Sequence, residues 1–175
     1  MMRFRTAEEF RARTKSLGVR LIADRLAHDD GHDAQSVKFW VDDARYAEVA
    51  LARKFVSWLG EFTDCEFLIA EFGIWPSRED WNLYERLRIS YGDDRTLPDA
   101  PSHLFSVDES LDLTTLIGIV LQFGWGGHIV PSSGDAYIFI SHDGWIFASS
   151  RKINLKVTED LDDMEIDYES HGQLF

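Results

Sequence analysis

The chain has 175 residues, 45% of them hydrophobic, a formal net charge of −13 and one cysteine, Cys65. That length suits one domain burying about 70% of the surface its unfolded chain exposes, with no disulfide or metal needed to hold it. The lone cysteine excludes an internal disulfide framework, and the acidic balance argues against nucleic acid as a partner, because nucleic-acid backbones need clustered positive charge.

Thr6-Ala-Glu-Glu9 spells a capping box. Phe10, Thr14, Leu17 and Leu21 follow at helical spacing, Gly18 is placed to end that helix early, and Val19 to Ala27 reads as a further turn or short helix. The polar run HDDGHD, from His28 to Asp33, breaks the chain. Trp40, Ala44, Ala47, Leu51, Phe55 and Trp58 then step by three and four, which predicts a helix closed by Gly60.

Phe67 to Trp75 reads as a buried strand stopped by Pro76. Ser77 to Asp80 opens a helix with Trp81, Tyr84, Leu87 and Tyr91 on one side and Gly92 at its end. A Gly, Pro and Asp-rich loop leads to a short strand, HLFS. A second capping box, Ser106 to Glu109, precedes a helical stripe of Leu113, Leu116, Ile117 and Val120, although β-branched residues leave a strand open there. GGHIVP is a strand, and AYIFISH and WIFASS flank Asp143-Gly144 as a hairpin with a two-residue type I′ turn. That turn sets His142 opposite Trp145 and Ile140 opposite Phe147. INLKV alternates like a strand.

Charge is uneven along this order. The first 27 residues carry seven Arg or Lys against three acids, whereas Glu159, Asp160, Asp162, Asp163, Glu165, Asp167 and Glu169 form a run with no base. The expected organisation is a single α+β domain over 1–158 and an acidic C-terminal tail over 159–175 of disordered composition. Its architecture is N-terminal helices packed on a mainly antiparallel sheet that includes a C-terminal β-hairpin. No secretory signal is expected, since MMRFRTAEEF has no continuous apolar region, and the longest apolar stretch is too short for a bilayer. A cytoplasmic protein without membrane contact follows.

Five places offer chemistry. His28, Asp29, His32 and Asp33 present nitrogen and oxygen to Zn²⁺ or Mn²⁺ if a helix continues through them, which Gly31 opposes. Glu71 lies inside an apolar strand and needs a partner there, Arg86 or Arg88 on the next helix being candidates. His128 and His142 fall on neighbouring strands, with Asp135 or Asp143 as orienting groups and Ser132, Ser133 or Ser141 as hydroxyls, but no nucleophile elbow is present. Cys65 stands between Asp64 and Glu66, which disfavour its thiolate. Trp75, Trp125 and Trp145 lie at element ends, where rings can form a protein-binding patch together with acids such as Asp162 and Asp163.

GWGG lacks phosphate-loop spacing, and no cofactor is expected. The reading is a non-catalytic interaction protein, for example an inhibitor or immunity-type protein, with a basic protein partner. Pairing of the basic first segment with the acidic run between copies also allows a homo-oligomer. The alternative is a small hydrolase, using metal at 28–33 or Glu71 and His142 as acid and base.

Overall fold

The computed structural model describes residues 2–22, 25–28, 35–41, 47–71, 78–151 and 155–171. The fold is α+β. Eight strands form one sheet in the order β1-β6-β5-β7-β8-β9-β4-β10, and a two-stranded hairpin, β2-β3, lies beside it. The strands are β1 (Arg3–Arg5), β2 (Val19–Ile22), β3 (Arg25–His28), β4 (Gln35–Trp40), β5 (Asp64–Glu71), β6 (Ser102–Ser106), β7 (Gly126–Pro131), β8 (Ala136–Ile140), β9 (Trp145–Ser150) and β10 (Tyr168–His171). The helices are α1 (Ala7–Ser16), α2 (Ala47–Trp58), α3 (Arg78–Ser90), α4 (Ser110–Gln122) and α5 (Leu155–Asp163). All the strand pairings are antiparallel. Among the described residues no helix is long and apolar enough to cross a membrane.

Both faces of the sheet are covered, which is why its strands carry apolar residues at odd and even positions alike. On one face Leu51 and Phe55 of α2, Leu113 and Ile117 of α4, and Val157 and Leu161 of α5 pack on Phe39, Phe67, Ile69, Phe105, Ile138 and Ile146. On the other, Phe10 of α1 and Val19 and Leu26 of the hairpin cover Leu68, Val130 and Tyr137. Polar contacts pin α1 down. Arg13 pairs with Asp64, and its Nε lies 3.2 Å from the buried Glu66 Oε2. The Ser102 hydroxyl donates to Glu66 Oε1 at 2.8 Å.

The capping box at Thr6 forms as expected: the Glu9 N–H donates to Thr6 Oγ1 and the Thr6 N–H to Glu9 Oε2. At Ser106 the backbone N–H donates to Glu109 Oε2 at 2.8 Å, and a 3-10 turn, Val107–Glu109, leads into α4.

Four expectations change. Val19–Ile22 and Arg25–His28 are paired strands, not a helix: Leu21 pairs with Leu26 and Val19 with His28, so alternation rather than helical spacing governs there. Trp40 ends β4 instead of starting α2, because Val37 and Phe39 alternate into the core between β9 and β10. The INLKV stretch is helical from Leu155, and α5 and β10 carry the acidic run into the fold, with β10 paired to β4. The C-terminal hairpin slips by one residue, so Ile140 faces Ile146 and Phe139 faces Phe147. Ser141 N–H donates to the Trp145 carbonyl at 2.9 Å and Gly144 N–H to the Ser141 carbonyl at 3.1 Å, leaving a three-residue loop, His142-Asp143-Gly144. Gly144 has φ +82, the left-handed residue that such a loop places after its first turn.

Candidate functional site

The register arranges side chains of the α1-covered face in rows. One row runs Trp40, Trp145, Ser141, Gly126, Glu71 from β4 to β5, and the next runs Lys38, Phe147, Phe139, His128, Leu68. Glu169 of β10 stands opposite Lys38 and extends the second row to the sheet edge. Phe10, Val19 and Leu26 cover this face further along, and at its other end Trp40 is 41% exposed.

At the β5 end of the first row, Glu71 and His142 meet. His142 Nδ1 lies 2.8 Å from Glu71 Oε2, and its Nε2 lies 3.3 Å from Asp143 Oδ1. A register shift between Ile69 and Glu71 turns Glu71 onto this face. Gly126 makes room for it, since a Cβ at that position would occupy the space of the Glu71 carboxylate. The hydrogen bond to Glu71, then the Glu71 and Asp143 charges, hold His142 above the usual imidazole range. Its protonated form, with a donor on each nitrogen, suits two flanking carboxylates.

That shift carries a testable consequence. His142 adds stability that is fully present below its unfolded pKa and is lost as pH rises through its higher folded pKa. Glu71→Gln and Gly126→Ala are each expected to lower the His142 pKa, measured by NMR titration of the ring. An unchanged value in both variants would contradict the pairing.

The other candidates fall elsewhere. Arg86 and Arg88 do not partner Glu71: Arg86 is exposed, and Arg88 is buried near Asp93. His128 does not join His142. Its ring stacks on Phe139 at 4.8 Å, it is buried, and its Nδ1 has no hydrogen-bond partner among the described residues. Ser132, Ser133 and Asp135 lie in the β7–β8 turn, at the end of β8 opposite His142, where Ser132 Oγ accepts the Thr63 N–H and Ser133 Oγ the Asp135 N–H. Ser141 Oγ accepts the Asp143 N–H. No Ser-His-Asp arrangement results, because these hydroxyls hold turns. Cys65 is buried, and desolvation together with Asp64 and Glu66 pushes its thiol up, away from reactivity.

His28 lies at the end of a strand, β3, with its ring 5.2 Å from that of Tyr137. Asp29, His32 and Asp33 lie outside the described residues, as does Trp75. Among the described residues no three His, Cys, Asp or Glu side chains are placed to share a metal ion. Trp125 is not a surface ring: it is buried against Tyr84 and Phe123. Trp145 is partly exposed and has Trp40 as its direct cross-strand neighbour. Lys38 Nζ sits 4.2 Å from the Trp40 ring centroid and 5.1 Å from that of Trp145. Sequence reasoning missed the Trp40 contribution, because its spacing to Ala44 mimics a helix; the alternation of Val37, Lys38, Phe39 and Trp40 was the available signal.

Asp162 and Asp163 are exposed on α5. Glu159, Glu165, Asp167 and Glu169 are exposed too, while Asp160 alone of this run turns inward, pairing with Lys54 and accepting the Trp58 Nε1–H at 2.8 Å. No protein-family model, curated protein or solved structure matches the chain.

Proposed function

We propose that the chain is a non-catalytic interaction protein that holds a basic protein partner on the edge formed by α5 and β10. The observation that carries this reading is the outward display of the acidic run on two folded elements. Six of its seven acids, all but Asp160, face solvent, on a helix and beside a strand at the sheet edge. Fixed acids of one sign raise the local concentration of a cationic partner and speed its docking. A charged edge also discourages self-pairing of the sheet, which favours a partner of opposite charge over a second copy.

The test is capture on the immobilised chain at low and at high salt, with wild type beside Asp162→Asn/Asp163→Asn. The expected partner is basic, is released as salt shortens the Debye length from about 10 Å at 0.1 M to about 3 Å at 1 M, and is retained several-fold less by the variant. Retention that ignores both salt and the substitutions would sink the proposal.

A second reading, acid–base hydrolysis, is favoured by the 2.8 Å contact between Glu71 and His142. A carboxylate on Nδ1 fixes a histidine's ring and tautomer, as a general base requires. Against it, Nε2 faces Asp143 rather than a hydroxyl or thiol. Hydrolysis of nitrophenyl esters or phosphates that vanishes in His142→Gln, with folding intact, would move this reading to first place.

A further inference from the structure

We infer that Trp40 and Trp145 form a seat for an arginine side chain of the partner, and that Lys38 occupies this seat in the free protein. The inference rests on the basic-partner reading and names the surface and the chemistry that would satisfy it.

Three observations converge on the seat. Trp40 and Trp145 are directly paired across β4 and β9, so their rings stand side by side. Trp40 is 41% exposed, an unusual position for the largest apolar side chain. A cation already lies there: Lys38 Nζ is 4.2 Å and 5.1 Å from the two ring centroids, within cation–π range of both.

Acids flank the seat. Glu169 is the register partner of Lys38 on β10 and is exposed. Asp167 lies next along the chain from the Tyr168–Phe39 pair, beside Trp40, and is exposed. Incoming positive charge therefore meets acids at the rim and aromatic faces behind them. Arginine gains more from the exchange than lysine, because its planar guanidinium stacks on rings and is more weakly hydrated than the ammonium it displaces.

The occupant is thus an extended segment of the partner that brings one Arg over the two rings and further basic residues along β10. The probe is a fluorescein-labelled ten-residue peptide alternating Arg with Thr, compared with the same peptide carrying Lys, read by anisotropy. Wild type is expected to prefer the Arg peptide by about three- to thirty-fold, the range that one cation–π contact supports. Trp40→Ala should abolish that preference. Lys38→Ala should bind the Arg peptide at least as tightly as wild type, since no lysine then competes for the rings. Indole Nε1–H resonances of Trp40 and Trp145 should shift on binding in wild type, and circular dichroism checks the fold of each variant.

Two results overturn the seat: an Arg preference that survives Trp40→Ala, or weaker Arg-peptide binding in Lys38→Ala. If Asp162→Asn/Asp163→Asn weakens binding while Trp40→Ala does not, the seat falls and the basic-partner reading stands. No binding by wild type also overturns the seat, and capture of a basic partner through the acids then decides the broader reading by itself.

Discussion

Acidification from pH 7 to pH 4 is expected to remove up to roughly 6 kcal/mol of folding stability, a large share of a typical domain's total. Two buried histidines cause it. His103 is held neutral under the sheet, where its Nδ1 lies 3.2 Å from the Phe67 carbonyl oxygen and its Nε2 meets the Tyr84 hydroxyl. His128 stacks on Phe139 on the other face. Burial pulls each imidazole down to about 4 from an ordinary 6.5. Each gap is worth roughly 3 kcal/mol, at 1.36 kcal/mol per unit. Between pH 6.5 and 4 the unfolded chain binds protons that the native state refuses, so stability rises with pH and is lost as pH falls through this window.

Two groups oppose the loss. Burial raises the Glu66 carboxyl, and Glu71 raises His142, so protonation of either favours the folded state. Glu66 recovers part of its effect through Ser102, Arg5 and Arg13, and His142 is largely solvent-screened, so the two buried histidines dominate. His128→Phe is the sharpest variant, because among the described residues the buried Nδ1 it removes has no partner to orphan. Urea unfolding across pH should show a lower acid midpoint for His128→Phe and unchanged or greater stability at pH 7. An acid midpoint equal to that of wild type would contradict the assignment.

Arg88→Ala is expected to cost about 3–5 kcal/mol, the range for breaking a buried charged network. Among the described residues Arg88 is the largest fully buried side chain, only 1% exposed. Its guanidinium lies 4.4 Å from the Phe4 ring centroid, NH1 donates to the Ala100 carbonyl at 2.8 Å, and NH2 is 3.5 Å from Asp93 Oδ1. Burial, opposed by Asp93, holds it below the ordinary guanidinium range. Arg95 also binds Asp93 and reaches the Phe4 carbonyl at 3.0 Å, so α3, β1 and the loop after Gly92 close on one cluster. Alanine leaves a cavity under Phe4 and a buried carbonyl without its donor. Arg88→Met restores volume without charge and should cost less than half as much. Chemical denaturation decides: a loss below about 1 kcal/mol for alanine would show that the cluster contributes little.

Local signals made much of the helical framework legible. Thr6 and Glu9 announce α1, the Leu113–Val120 stripe survives its β-branched residues, and Gly60 and Gly92 follow the ends of α2 and α3. What was hidden depends on distant pairing. β4 lies between β9 and β10, neither of them near it in sequence, so Trp40 could not be seen beside Trp145. The acidic segment reads as a tail because α5 ends without glycine: Glu165 takes the left-handed conformation at φ 57, and Ile166 N–H bonds back to the Leu161 carbonyl.

The candidate site divides in the same way. Glu71 and His142 stand out as single residues, but their contact requires the register shift in β5 and the open space at Gly126. Asp143-Gly144 falls within the hairpin loop, but His142 joins them in place of a two-residue turn, and that extra residue exchanges every cross-strand partner.

Partner binding at the α5–β10 edge is tested by hydrogen–deuterium exchange of the chain alone and with the captured partner. Slowed exchange over 155–171 and at Lys38–Trp40, with Arg3–Arg5 on the opposite edge unchanged, is the predicted result. Protection confined to the Arg3–Arg5 edge or to the Glu71–His142 corner, with α5 and β10 exchanging as in the free chain, would contradict it.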